Sequence, residues 1–460
     1  MNLNPSRKRR FEAGSFAVAA ALLLLTAGES AGQDAHYWTL HYGPRSSLLG
    51  GAVIGSVDDV SGTYYNPGAL GLAEDLAFAV STNVFEFSVV GLEDGAGEGV
   101  DLGTARSGLQ PSLLAGTITK DLFGSGVLAY SALTRTRGEQ DLQGLIVVSG
   151  ADIPPDVELT DFAALGRFEG NFNEFWGGLT YSHRLGSQFG LGVTWYGALR
   201  SQRRRVETAS QGVGLDGSGA AEIDIRGGKY SSLRTLFKFG AFAVVGPLTG
   251  GLTVTTPSIH ITGSGQLGFD KGTFAPDTAA LAVTIQTDLP AEFKSPLSVG
   301  FGLGWRIGDT RLHASGEWYD AIDPYVVIQG EDFVAQEPEE VIEVDAVQAL
   351  DEVFNWSVGV EHTFSPKLTG YLSYYLDASG LSDKVERAGL STNPLDINTV
   401  TLGTDFVVSS ARLTLGLGYG WGRKVDEALT DLLRQEDEDF EATFVYRSFR
   451  FLFGFEIGVG

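Results

Sequence analysis

Apolar and polar residues alternate one for one along much of the chain after residue 73. In 297–307, Leu297, Val299, Phe301, Leu303, Trp305 and Ile307 share one parity, and Ser298, Gly300, Gly302, Gly304 and Arg306 the other. In 411–421, Leu413, Leu415, Leu417, Tyr419 and Trp421 oppose Arg412, Thr414, Gly416, Gly418 and Gly420. Segments 189–200 and 353–364 repeat the pattern. Successive side chains of a strand point to opposite faces, so each segment predicts a strand with one oily face and one small or polar face. These runs are roughly ten to sixteen residues long, against ~5–6 for ordinary strands and ~9–11 for a tilted strand that crosses a bilayer. Trp195, Trp305, Trp318, Tyr419 and Trp421 fall on the apolar faces, where interfacial aromatic girdles would sit.

Fourteen strands are predicted, near 75–90, 109–119, 125–137, 172–184, 188–203, 232–246, 248–266, 295–307, 310–322, 353–364, 367–378, 398–409, 411–422 and 444–459. Their connections alternate long (91–108, 138–171, 204–231, 267–294, 323–352, 379–397, 423–443) and short. Long outer loops, short inner turns and an even strand number define an all-β fold, a transmembrane antiparallel β-barrel of about 14 strands. Residues 278–287 would break the alternation as a separate strand, so they are read as the outer start of the eighth strand, interrupted near Pro290. A soluble sandwich or propeller would have shorter strands and no need of glycines on one face.

Composition agrees. Glycine is 62 of 460 residues, about twice the usual ~7%. Cysteine is absent, which excludes thiolate catalysis and disulfide frameworks. The net charge of -25 disfavours nucleic acid as a partner. Arg7, Lys8, Arg9 and Arg10 precede an apolar run at 16–27 and then small residues up to Gly32. This is the order of a secretory signal, and the run is too short to span a membrane. Residues 1–32 are therefore expected to be removed. Export and alternating strands together predict the bacterial outer membrane.

Residues 33–72 precede the barrel at 73–460. They include Gly50-Gly51-Ala52, Asp58-Asp59 and Tyr65-Asn66-Pro67-Gly68-Ala69-Leu70. This order of a Gly/Ala stretch, an acidic step and an aromatic-Asn-Pro motif resembles the FadL-type outer-membrane transporters of hydrophobic compounds (OmpP1/FadL/TodX-like). It is equally similar to the related PorV-like barrels. The family favours Pro-Ala-Gly-Leu where this chain has Pro-Gly-Ala-Leu. The resemblance implies that 33–72 folds inside the barrel as a plug, or hatch, carried by Gly50, Gly51, Asp58, Asp59, Asn66, Pro67 and Gly68. It also implies passive uptake of long-chain fatty acids or hydrocarbons, with no enzyme activity, cofactor or catalytic residue. The PorV-like alternative is a shuttle or scaffold for a secreted protein. Asn66-Pro67-Gly68 also reads as a simple turn, and the two readings are compatible. Phe449, Phe451, Phe453, Phe455, Ile457 and Val459 look like the closing strand that barrel-assembly machinery binds. Typical closing strands end on an aromatic residue, whereas this chain ends Val459-Gly460.

Apolar residues in the predicted long loops, Leu142, Leu145, Ile146, Val147, Val148, Phe162, Leu165 and Phe168, either capture a ligand or pack on one another. A ligand carboxylate would want a cation, for which Arg306, Arg311 and Arg412 lie on polar faces, as do the acids Glu317 and Glu361. Arg200, Arg203, Arg204 and Arg205 cluster where the fifth strand should meet the outer leaflet, and either bind lipopolysaccharide phosphates or neutralise acidic loops. Loop 331–352 holds nine acidic residues, including Glu337, Glu339, Glu340, Glu343 and Asp345, and reads as a solvated stretch, with bridging to surface lipids through divalent cations as the alternative. The six histidines show no metal-ligand spacing, and no P-loop or nucleophile elbow is present.

Overall fold

The computed structural model describes residues 35–73, 78–93, 102–150, 159–276, 278–336, 338, 341–382, 384, 395–408, 411–427 and 441–457. The expected signal segment and the terminal Val459-Gly460 lie outside them, as do Glu337, Glu339 and Glu340. The described strands are β1 (Phe78–Glu93), β2 (Leu102–Leu122), β3 (Gly126–Ser149), β4 (Leu159–Leu185), β5 (Phe189–Gly214), β6 (Gly219–Val245) and β7 (Leu248–Thr255). Next come β8 (Ile259–Ala275), β9 (Thr278–Pro290), β10 (Ser298–Ile307), β11 (Thr310–Tyr319), β12 (Ile322–Ile328), β13 (Phe333–Val334) and β14 (Val341–Ile342). The chain continues through β15 (Ala346–Leu350), β16 (Val353–Ser365), β17 (Leu368–Asp377), β18 (Ile397–Val408), β19 (Ala411–Glu427) and β20 (Glu441–Ile457).

Fourteen of these strands close a ring. Antiparallel pairing runs from β1 to β7, then through β10 and β11 to β16 and on to β20, and β20 pairs back onto β1. β7 and β8 are halves of one strand, since β6 pairs with β7 through Lys238–Val245 and with β8 through Ala221–Thr235. β9 and β10 are likewise halves, pairing with β8 and β7. The eighth barrel strand therefore begins at 278 and breaks after Pro290, as its sequence predicts. Turns of two or three residues close one rim. Gly246 and Gly308 hold φ of 59° and 61° in the β6–β7 and β10–β11 turns, where the twist of a tight hairpin demands positive φ.

The pattern of exposure is inverted relative to a soluble barrel. Leu191, Trp195, Phe301, Leu303, Leu417 and Phe451 are each about half exposed or more on the outer wall, while Thr194, Ser315, Asn355 and Thr399 are buried inside. An apolar exterior around a polar interior is stable only when lipid surrounds the wall. Trp305 sits by the tight-turn rim, and Trp318 and Trp421 lie toward the other.

Two sequence expectations are corrected. The connections 138–171 and 204–231 are largely strand, because β3 to β6 run far past the apolar belt. Beyond lipid, neither face must be oily, so the alternation fades while the hydrogen-bond ladder continues. Loop 331–352 is not merely solvated. It forms the small β13–β14 hairpin, pairs β15 with the preceding β12, and buries Ala335, Val344 and Ala346 against Leu267 and Phe269 of β8. Its acids are interspersed with apolar residues that turn inward.

Candidate functional site

Residues 35–73 lie in the lumen. They form α1 (Pro44–Leu48), α2 (Gly62–Tyr65) and a 3-10 helix (Pro67–Gly71). The 3-10 helix packs on β4, β5 and β6, while α1 packs on β1 and β17 to β20, so the segment bridges opposite walls. Leu48, Leu49, Val53, Val60 and Leu70 are fully buried. Every predicted motif residue has an identifiable place. Gly50 and Gly51 hold φ of 56° and 76°. Asn66 is extended and fully buried. Its side-chain nitrogen donates to Ile54 O and Ala241 O, both at 3.0 Å, and its oxygen accepts from Gly68 N at 3.0 Å. It is both a turn residue and an anchor to β6. Asp59 accepts from Ser61 N at 2.7 Å, and Asp58 accepts from Arg311 at 2.9 Å.

Backbone meets backbone where inward-facing strand glycines leave room. A Cβ on Gly55 would lie 2.0 Å from Gly302 O, and one on Gly190 would lie 2.1 Å from Gly68 O. The Gly302 carbonyl cannot yield without moving β10, nor the Gly68 carbonyl without moving the 3-10 helix of the inner segment. Gly55→Ala is therefore expected to unseat the segment while the barrel still assembles. Limited trypsinolysis at the buried Arg45 reads this out, with wild type protected and the variant cleaved. Equal protection would show that the close approach tolerates a methyl group.

Arg45 is the charged hub of the segment. Its guanidinium donates to Glu361 at 2.6 Å and to Ser56 O at 3.3 Å, and lies 3.1 Å from Asp58. Burial opposes its charge, but Asp58 and Glu361 outweigh burial and hold its pKa well above the usual arginine value. His313 extends the network, with Nδ1 2.7 Å from Ser56 Oγ and Nε2 3.3 Å from Glu361.

His41 is buried against the Tyr375 ring. Burial first, then the nearby Arg450 and Arg135 charges, lower its pKa from 6.5 to about 3, against an opposing pull from Asp377. The seated segment thus prefers neutral His41. Its contribution is complete above pH 6.5 and declines as pH falls from 6.5 toward 3. Asp59 works the other way, since burial and Asp58 raise its pKa and acid favours its seated form. Seating measured by hydrogen exchange over this range should weaken more with acid in wild type than in His41→Gln. Parallel pH profiles would remove His41 from the account.

Toward the long-strand end lies a cavity of about 50 Å³. Its wall combines aromatic rings with cations and buried glutamates. Glu174 accepts from Arg234 at 2.5 Å, Arg200 at 3.0 Å and Trp176 at 2.6 Å. Glu317 accepts from Tyr319 at 2.6 Å, Ser298 at 2.8 Å and Trp38 at 3.1 Å, with Lys238 at 3.6 Å. Arg200 and Arg234 cover the Phe293 ring at 4.1 and 4.5 Å, and Lys238 covers Tyr64 at 4.7 Å. Phe293 comes from the break between β9 and β10, so the interruption of that strand roofs the cavity. A benzene-sized guest needs a cavity of roughly 150 Å³, so passage requires side chains or the inner segment to move.

The wall beside the cavity is split. The β2–β3 ladder covers only Leu113–Leu122 of β2 and Gly126–Leu133 of β3. Beyond it β2 stays with β1 to Leu102, and β3 stays with β4 to Ser149. A bulge at Thr134/Thr136 lies where the split begins; Arg135 keeps the inward side of Ala129, Ser131 and Leu133, the parity changes after it, and Thr134, Arg135 and Thr136 are all buried. The inner segment meets this spot. Tyr42 Oη donates to the carbonyls of Thr134 and Arg135 at 3.2 and 3.1 Å, and Arg135 donates to Tyr37 O at 2.6 Å. Sequence reading missed Arg135 because Thr134-Arg135-Thr136-Arg137 alternates without a flaw. It missed Tyr42 and Arg45 because no strand pattern covers them, although a lone arginine among buried glycines and leucines was a usable signal.

The predicted ligand residues are not gathered. Arg311 is bound to Asp58 and Thr249, and Arg412 lies 3.7 Å from Asp405 and 4.0 Å from Glu456. Arg306 is exposed beside the Gly308 turn. All three stand near the tight-turn rim, away from the cavity. Phe168 is buried under Arg204, whose guanidinium lies 5.1 Å from the ring. Leu145 and Val147 are exposed on β3, and Leu165 and Phe162 lie on β4. The side chains of Leu142, Ile146 and Val148 lie outside the described residues.

No family model matches this sequence, and no curated protein does. Solved structures match along nearly the whole chain. A deltaS2 mutant of the TodX monoaromatic hydrocarbon channel is 13% identical, with 91% of this chain and 99% of that chain covered and a TM-score of 0.61. The Pseudomonas putida toluene transporter TodX is 12% identical, with 92% and 99% covered and a TM-score of 0.56. A Pseudomonas aeruginosa FadL homologue is 12% identical, with 93% and 100% covered and a TM-score of 0.54. At this identity the likeness is one of fold, and the fold is that of the FadL-type barrels.

Proposed function

We propose that this chain is an outer-membrane channel for passive uptake of hydrophobic compounds, with residues 33–72 as its plug. The observation that carries the reading is the split between β2 and β3, which opens beside the cavity and is held by the plug through Tyr42 and Arg135. An apolar solute gains nothing from a water-filled pore and gains from direct passage into lipid or into a carrier. A barrel blocked along its axis but divided in its wall suits such a solute. The cavity charges are largely satisfied by one another, so an apolar guest would not have to strip them. The matched structures include monoaromatic hydrocarbon channels and a FadL homologue, which supports hydrocarbons or fatty acids as the ligand class. The tight-turn rim then faces the periplasm and the extended β3–β6 end faces outward. The protein-secretion scaffold finds no matching feature among the described residues.

The test is uptake by cells that lack their own hydrophobic-compound channel, using labelled toluene and labelled oleate beside a disaccharide. Expression of this chain is expected to raise entry of at least one apolar probe severalfold and to leave the disaccharide unchanged. Equal entry of the disaccharide would mean a general pore, and no entry of either apolar probe would sink the proposal.

A further inference from the structure

The four arginines at 200–205 do not form one cluster. Strand alternation buries Arg200 and Arg204 in the interior and puts Arg203 and Arg205 on the outer wall. Arg205 is paired with Glu207 at 3.3 Å. Arg203 is directly opposite Lys229 of β6, also exposed. Two like charges in directly opposed strand positions repel each other. No acid is placed to relieve them among the described residues. Glu207 is taken by Arg205, Glu169 is taken by Arg167 at 2.5 Å, and the exposed Glu139 lies beyond Asn171, two strands from Arg203. In a chain of net charge -25, an acid-free cation pair is a local exception.

Neutral hydrogen-bonding side chains frame this pair on the same face. Asn171 of β4 and Gln266 of β8 continue its row, and Asn173, Ser201, Ser231 and Ser264 form the row below. Beneath these, the outer face turns mainly apolar, with Phe175, Leu199 and Trp195 each about half exposed. Along β5 the apolar belt runs from Phe189 to Leu199. Ten residues at ~3.3 Å each, tilted by about 40°, span about 25 Å, the height of a membrane-barrel belt. Arg203 lies four residues further, about 10 Å beyond the belt edge, at headgroup level.

We infer that Arg203 and Lys229 form a binding site for the phosphate of a phosphorylated glycolipid in the surrounding outer leaflet. The phosphate would sit between the two cations and cancel their repulsion. Asn171, Asn173, Ser201 and Ser231 would meet sugar hydroxyls, and the acyl chains would lie on the belt below. The inference rests on the outer-membrane placement proposed above and not on uptake.

The experiment uses the full-length barrel purified in non-ionic detergent, with native mass spectrometry against a bisphosphorylated diglucosamine lipid. Wild type is expected to hold the lipid through detergent exchange. Arg203→Gln/Lys229→Gln is expected to bind at least tenfold more weakly, and Arg205→Gln within twofold of wild type. The dephosphorylated lipid should bind wild type as weakly as the intact lipid binds the double variant. Thermal melting that matches wild type shows that the double variant is folded; if it is not, Lys229→Gln alone is scored, with an expected loss of about threefold or more. Unchanged binding in the scored variant would overturn the site. Displacement of the lipid by millimolar inorganic phosphate would also overturn it, in favour of a free-anion site. Both failures leave the uptake assay untouched, so they are separable from failure of the transport reading.

Discussion

Deletion of residues 35–72 is expected to convert a closed barrel into an open pore. Fourteen strands spaced about 4.8 Å apart and tilted about 40° enclose a lumen roughly 28 Å across between backbones. The deleted segment bridges opposite walls and contributes much of the main buried cluster, from Leu40 to Leu70. Many inward positions near it are glycine, including Gly190, Gly240, Gly251 and Gly302, so wall side chains cannot fill the space it leaves. In planar bilayers wild type should show little or no steady current, and the deletion variant large, long-lived steps. Cells that express the variant should become sensitive to bulky hydrophilic antibiotics. A correctly folded deletion barrel that stays silent would mean that the wall strands collapse inward or that the long strands close the mouth.

Arg45→Met should give the second largest effect, from a single side chain. Methionine matches the length of the aliphatic stem but leaves Glu361 without its 2.6 Å partner and Asp58 with Arg311 alone. Breaking a buried pair by removing one partner costs about 3–5 kcal/mol, because the remaining charge stays desolvated. At 1.4 kcal/mol per factor of ten, seating of the segment should weaken by more than a hundredfold. Hydrogen exchange in 44–70 should rise by a similar factor while β16 to β20 keep their protection. Glu361→Leu in the same chain should restore part of the loss, since no unpaired carboxylate then remains. Exchange unchanged from wild type would show that glycine packing and Asn66 hold the segment without the ion pair.

Much of the barrel was legible because lipid imposes a strict rule. Every strand that crosses the belt must be oily outside and small or polar inside, so Leu297 to Ile307 and Leu413 to Trp421 declare their faces without help. The rule ends at the belt edge, which is why the upper halves of β3 to β6 were read as loops. The inner segment was expected from the resemblance that its Gly-Gly, Asp-Asp and Asn-Pro motifs carry. Its charged anchor at Arg45 was not, because nothing local distinguishes an arginine that will meet Glu361 some three hundred residues away. Arg135 shows the limit most clearly. Arg135 and Arg137 share one parity in the sequence, yet a one-residue bulge separates them: Arg135 stays inward by Trp176, with Ala129, Ser131 and Leu133, and Arg137 is turned out. The chain alone therefore determined strand number and strand faces, since these follow from local alternation and turn chemistry, while the inner segment was expected only from the family resemblance. The tertiary structure decided which charges meet, where the wall splits and which cations face lipid, because ring closure and a bulge set the register, and register alone chooses a side chain's neighbours.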